Sequence, residues 1–286
     1  MKCILKVLLL CMIISMLASC SGKDNETMNN TATTEPKATA VPTITAPSAA
    51  PTVAVMPTIT PVPATIAPTT APITTSVNHE KSGTKLVALT FDDGPNLDIT
   101  PLILDKLEEY DVAASFFLCG QNLSDATLPV VKRQLDLGCE LNNHSWSHPD
   151  MSKMTPDEII KQVQDTNDKI FEMVGVNPKF FRPPFIATSK TMYDNIELPF
   201  ICGIGCNDWD ATVTTQQRSD TILNTVKDGD IILLHDSSGN IQTVDALDTI
   251  ISELQKQGYE FVTVSQLFEK KEIEPNVENM IWTNVN

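Results

Sequence analysis

Beyond Thr84 the chain reads as an α/β domain, a distorted or incomplete (β/α) barrel, preceded by a disordered linker. Three observations predict this. Apolar runs of strand length alternate with helical patterns along the whole stretch. The runs are apolar on both faces, as a parallel sheet covered by helices requires. Residues 84–270 are too few for a full eight-unit barrel, which takes roughly 250.

Taken in order, residues 1–20 form a targeting segment. Lys2 and Lys6 give a positive start, "ILKVLLLCMIISM" an apolar core too short for a span of roughly 20 residues, and "LASC" a small-residue cleavage site. A cysteine there resembles the bacterial lipoprotein signal, so Cys20 is the expected lipid anchor on the extracytoplasmic face of the cell membrane. An ordinary secretory signal with a chance cysteine would release the domain instead. Residues 21–83 are Thr, Pro and Ala without an aromatic, a composition that buries no core. Extended at about 3.1 Å per residue, such a spacer reaches on the order of 150 Å or more.

Strands are expected at "KLVALTF", "AASFFLCG", "GCELNN", "PKFFRP", "PFICGIG", "DIILLHD" and "YEFVTV". Helices are expected at "TPLILDKLEEY", "LPVVKRQLDLG", "TPDEIIKQVQDTNDKIFEMVG", "TTQQRSDTILNTVKDG" and "TVDALDTIISELQKQG". Thr155 to Glu158 is a helix start with proline at N1 and an acidic N3. Residues 271–286 form a tail with no assigned role. Cys119, Cys139, Cys202 and Cys206 sit in or beside apolar runs and read as buried thiols. The net charge of −16 excludes a nucleic-acid partner, which selects basic patches.

The rare polar residues share a position. Asp92 and Asp93, His144 and His148, Arg182, Asp208 and His235 each follow a strand, and parallel strand ends converge on one face. His144 and His148 are four apart, so one helical turn would point both imidazoles the same way, with Pro149 ending it. With a carboxylate from a neighbouring strand they form a two-histidine, one-carboxylate set for Zn²⁺ or another divalent transition metal. One of Asp92 and Asp93 can be that ligand and the other a base, with Arg182 fixing the free carboxylate. His235 is the remaining acid, and Asp208 can orient it.

"TFDDGP", "HSWSH", "RPPF", "DW" and "LLH", in this order, resemble the five motifs of the polysaccharide deacetylases, the NodB-homology domain of carbohydrate esterase family 4. The resemblance runs from Lys85 to about Phe268. It implies Asp92 as base and Asp93 as metal ligand with His144 and His148. It further implies Arg182 as the residue orienting Asp92, and His235 as acid with Asp208 as partner. The backbone N–H of Phe185 would be an oxyanion donor, and Trp209 and Leu233 would line the acetyl pocket. Three positions depart from the pattern. Phe185 and Ile186 stand where the family often has Tyr then Gly, and Gly205 where many members carry Asp. The implied reaction is metal-dependent deacetylation of a glycan. The expected substrate is peptidoglycan N-acetylglucosamine, from the anchored location. The alternatives are an O-acetyl (xylan-type) esterase and a catalytically weak glycan-binding surface lipoprotein.

Overall fold

The computed structural model describes residues 84–286; the expected signal segment, linker and anchor at Cys20 lie outside the described residues. The elements are β1 (Lys85–Asp92), α1 (Thr100–Glu109), β2 (Ser115–Leu118), α2 (Leu128–Asp136), β3 (Glu140–Asn143) and α3 (Pro156–Val174). Then follow α4 (Lys190–Asn195), β4 (Phe200–Ile201), β5 (Ile204–Gly205), α5 (Thr215–Thr225), β6 (Asp230–His235), α6 (Ile241–Lys256), β7 (Tyr259–Val262), α7 (Val264–Lys271) and β8 (Ile281–Trp282). Helix starts follow side-chain chemistry. Thr155–Glu158, Thr214–Gln217 and Thr263–Gln266 form capping boxes on α3, α5 and α7.

All ladders between named strands are parallel, in the order β3-β2-β1-β6-β5, with β7 also on β1. β2 pairs with the C-terminal end of β1 and β7 with its N-terminal end, so β1 is the axis of the fold. Its side chains alternate. Val87, Leu89 and Phe91 pack outward with Ile103, Leu104, Leu247 and Ile251 of the covering helices. Leu86 and Ala88 face the other way, against Phe117, Ile201, Ile231, Val262 and Trp282. A strand's period of two then puts Thr90 and Asp92 in that same interior column. The apolar interior thus turns polar at its C-terminal end.

The expected strands at "PKFFRP" and "PFICGIG" are not continuous. Phe181 makes only isolated bridges to Asn143 and Phe200, and the second run breaks into β4 and β5. The break lies at Gly203, which rests so close to β6 that a Cβ would stand 2.8 Å from the Ile231 oxygen. There the chain passes from a ladder with β8 to one with β6. β8 belongs to the tail, residues 271–286, whose role could not be assigned from its composition. Trp282 and Val285 are buried in the barrel interior, and the Ile231 N–H donates to the Thr283 oxygen. No helix among the described residues is long and apolar enough to cross a membrane.

Candidate metal and catalytic site

The strand ends open into a cleft of about 530 Å³. Its walls include Asp92, Asp93, His144, His148, Asp208 and His235, and also Phe185, Trp209 and Leu233. Arg182 lies beneath it, fully buried.

The adjacent aspartates occupy different environments because the strand ends between them. Asp92 is the last interior residue of β1, is buried, and sits in register with His235 on β6 and Phe117 on β2. Asp93 turns away with φ 80°. Gly94 follows, where a Cβ would lie 2.2 Å from a carboxylate oxygen of Asp236, so only glycine fits. Asp236 is a buried carboxyl that sequence reasoning passed over. Burial, helped by the charges of Asp93 and Asp92, lifts its pKa to about 7 against a hydrogen bond from Thr100. The only signal for it was its place directly after His235.

Arg182 Nη1 donates to Asp92 Oδ1 at 2.6 Å and to Thr90 Oγ1 at 2.8 Å. Its Nη2 donates to the Cys202 oxygen at 2.5 Å, and the guanidinium lies 4.0 Å from the Phe117 ring centroid. One oxygen of Asp92 is therefore held from below. The other lies 3.7 Å from His144 Nε2.

His144 and His148 do not share a helical turn. Ser145 and His148 both have positive φ, 66° and 56°. The Ser145 N–H donates to Asn143 Oδ1, and the His148 N–H to Ser145 Oγ. Side-chain acceptors have replaced the i−4 carbonyls of a helix, and the loop still brings the two rings to 4.9 Å between centroids. His144 Nδ1 is bound to the Arg182 carbonyl at 2.7 Å, which leaves Nε2 facing the cleft. Burial drives the His144 pKa below its ordinary value against the pull of Asp92 and Asp93, so the ring is neutral, as a metal ligand must be. Burial pushes the Asp93 carboxyl up. His144, a hydrogen bond from Ser237, His235 and His148 outweigh it and hold the group below the usual carboxylate range.

Asp93, His144 and His148 each aim one ligand atom at a common point, all within 4.8 Å of one another. Asp93 Oδ1 is 3.6 Å from His144 Nε2 and 3.5 Å from His148 Nε2. Metal–ligand bonds of about 2.0–2.2 Å separate the donors of a tetrahedral ion by about 3.3–3.6 Å. The donor set, its spacing and the carbonyl behind His144 fit a divalent metal.

Across the cleft, His235 Nδ1 meets Asp208 Oδ1 at 2.8 Å, and the His235 backbone N–H donates to Asp208 Oδ2 at 2.8 Å. Burial lowers the proton affinity of His235, but the Asp208 bond and the charges of Asp208, Asp92 and Asp93 lift its pKa to about 9. It is a cation at neutral pH, with Nε2 free to deliver a proton. Phe185 and Trp209 are two-thirds exposed and apolar. Phe185 and Ile186 both take left-handed φ, 58° and 53°. A β-branched residue there carries strain of order 1–3 kcal/mol, at the position where the family often has glycine.

Residues 79–198 match the family model described as "Polysaccharide deacetylase", a span that includes both aspartates, both histidines and Arg182. A solved structure of a family 4 acetyl xylan esterase from Clostridium thermocellum, in complex with a cobalt ion, is 45% identical with a TM-score of 0.68. The likeness covers 70% of this chain and 99% of that one. The chain belongs to the polysaccharide deacetylase family. Two curated relatives in that family differ in name. A bifunctional xylanase/deacetylase of Pseudobutyrivibrio xylanivorans is 54% identical over 201 residues, 70% of this chain. The peptidoglycan-N-acetylglucosamine deacetylase PgdA of Listeria monocytogenes is 37% identical over 191 residues, 65% of this chain. The chain spans about a third of the first relative and two-fifths of the second. This deacetylase-family domain therefore matches one part of each of those longer proteins.

Proposed function

We propose that the chain is a metal-dependent hydrolase that removes acetyl groups from a polysaccharide. The observation that carries this is one cleft holding a three-donor metal set between a buried Asp92–Arg182 pair and a His235–Asp208 pair. Asp93, His144 and His148 would hold zinc or another divalent transition metal, such as the cobalt of the related esterase. Such an ion would supply Lewis acidity, polarising a carbonyl and lowering the pKa of water toward about 7. Asp92, oriented by Arg182, takes the proton from the attacking water. His235, cationic and steered by Asp208, gives a proton to the departing sugar oxygen or nitrogen. The backbone N–H of Phe185 is assigned to the developing oxyanion, and Trp209 and Leu233 to the walls around the acetyl group.

Identity is higher to the relatives named for xylan than to the peptidoglycan deacetylase, 54% and 45% against 37%. That ordering favours O-acetylated xylan as substrate. Peptidoglycan N-acetylglucosamine is the second reading, supported by the proposed lipid anchor at Cys20 and the long Thr/Pro/Ala spacer, which would hold the domain near the cell's own wall. Acetate release from acetylxylan, peptidoglycan and chito-oligosaccharides decides both points, each measured with metal, with chelator, and with metal restored. Chelator-sensitive release ranks the substrates. No release from any of them, with metal stoichiometrically bound, would reject the hydrolase reading in favour of a glycan-binding protein. Anchoring is tested separately by a lipid-dependent mass increment on Cys20 that Cys20→Ser abolishes.

A further inference from the structure

Arg218 on α5 is 1% exposed, yet all five of its N–H groups donate to neutral oxygens. A buried guanidinium loses its hydration, and a directly bonded carboxylate is the usual compensation. Here the nearest functional carboxylate stands one residue further off. Arg218 Nη1 donates to Thr243 Oγ1 at 2.8 Å and to Asn240 Oδ1 at 2.5 Å. Both of those side chains then bond Asp208 Oδ2, Thr243 at 2.8 Å and Asn240 Nδ2 at 3.3 Å.

The chemistry of the donors fixes the direction of every bond. A guanidinium only donates, so the Thr243 hydroxyl must accept from Arg218 and spend its single proton on Asp208. The Asn240 amide, with its oxygen on Arg218, must turn its nitrogen to Asp208 and to the His235 carbonyl, 2.9 Å away. Asp208 Oδ2 is thereby filled with three donors, those two and the His235 backbone N–H. Oδ1 remains for the His235 ring. Without the cation, the hydroxyl rotor is free, and a flipped amide would set an oxygen against the carboxylate.

We propose that Arg218 is a positioning residue for the acid: through Thr243 and Asn240 it polarises the hydrogen bonds around Asp208 and so fixes the orientation of the His235 imidazole. Its guanidinium is seated under the 210–213 loop and α6 and takes no part in holding substrate or metal. The inference rests on the hydrolase reading for its kinetic arm only.

The test compares Arg218→Met, Thr243→Val and Thr243→Ser in the zinc-loaded full chain, with two readouts. On the glycan that releases acetate, Arg218→Met and Thr243→Val lower kcat roughly tenfold or more, a part of the 10²–10⁴ a positioned acid supplies. KM and bound zinc stay unchanged, and Thr243→Ser restores kcat. The second readout needs no turnover. In imidazole NMR spectra, the low-field Nδ1 proton shared by His235 and Asp208 moves or broadens in Thr243→Val and is retained in Thr243→Ser. If Arg218→Met does not fold, the Thr243 pair carries the test alone. An unmoved His235 resonance in Thr243→Val overturns the proposal. So does a rise in KM at constant kcat, which would make the cluster a substrate contact, or a loss of folding in Thr243→Val that Thr243→Ser does not rescue. Acetate release from no substrate would sink the hydrolase reading and leave the NMR comparison to decide this one.

Discussion

The two walls of the cleft each rest on a buried arginine, and they use it differently. On the β1 side Arg182 touches its carboxylate directly, at 2.6 Å, with Phe117 beneath it. On the β6 side Arg218 is held off Asp208 by a hydroxyl and an amide. The direct pair suits a carboxylate that must stay ionised, point one oxygen at water and itself accept a proton. The indirect pair suits a carboxylate that must stay ionised and leave its full hydrogen-bonding strength for a histidine. A guanidinium bonded to Oδ1 of Asp208 would compete with the ring it has to orient.

The largest effect expected is on the direct side. Asp92→Asn should lower turnover by about 10²–10⁴, the typical contribution of a general base, with metal content unchanged; His144→Ala should lose the metal itself. Acetate release and metal analysis on the same preparations check both. Loss of metal in Asp92→Asn with metal kept in Asp93→Asn would reverse the division of that pair.

Next, the two arginines should differ in stability. Arg182→Met strands a buried Asp92 charge and should cost about 3–5 kcal/mol. Arg218→Met breaks no direct ion pair and should cost clearly less, read as shifts in denaturant midpoint. Equal losses would erase the contrast between the walls.

A smaller change is expected from Asp208→Asn. Removing the acceptor and its charge takes away what raises His235, so its pKa should fall from about 9 toward the ordinary imidazole value. A folded pKa above the unfolded one contributes stability fully below about pH 6.5, and that contribution is lost as pH rises through about 9. Asp208→Asn should remove this loss. A divalent cation beside Asp93 neutralises part of the negative field, so loading metal should also lower the value. Imidazole NMR titration with and without metal measures each shift.

The smallest effect is Ile186→Gly. It relieves a left-handed β-branched residue but frees the unfolded chain, so the net gain should stay within about 2 kcal/mol. A larger gain would mean that Phe185 and Ile186 are held under more strain than the φ values of 58° and 53° imply.

The βα alternation was legible because strands buried on both faces must be written as apolar runs, and "KLVALTF" and "DIILLHD" are such runs. "PFICGIG" misled because its composition continues through Gly203, while the backbone turns there against β6. The seven polar residues at strand ends were legible because topology alone gathers them on one face. The shape of the histidine loop was not: a spacing of four also suits a helical turn, and what decided it was Asn143, buried and bonded to the backbone of α3. Arg218, Asn240 and Thr243 were hidden for another reason. In "TTQQRSDTILNT" and "TVDALD" Arg218 and Thr243 read as polar positions of amphipathic helices and Asn240 as a loop residue before the second, and only the packing of α5 on α6 brings the three together.

The short ladder between β4 and β8 pairs Phe200 with Ile281, and the β1–β7 ladder pairs Lys85 with Tyr259. Such distant pairings make folding slow, because the loops between them must close before any contact offsets the lost entropy. Until residues 281–285 arrive, the interior lacks Trp282 and Val285, and the β4 edge offers unpaired backbone to any neighbouring chain. A chain cut before Met280 should therefore announce its defect as aggregation during refolding, well before any effect on the distant cleft could be measured.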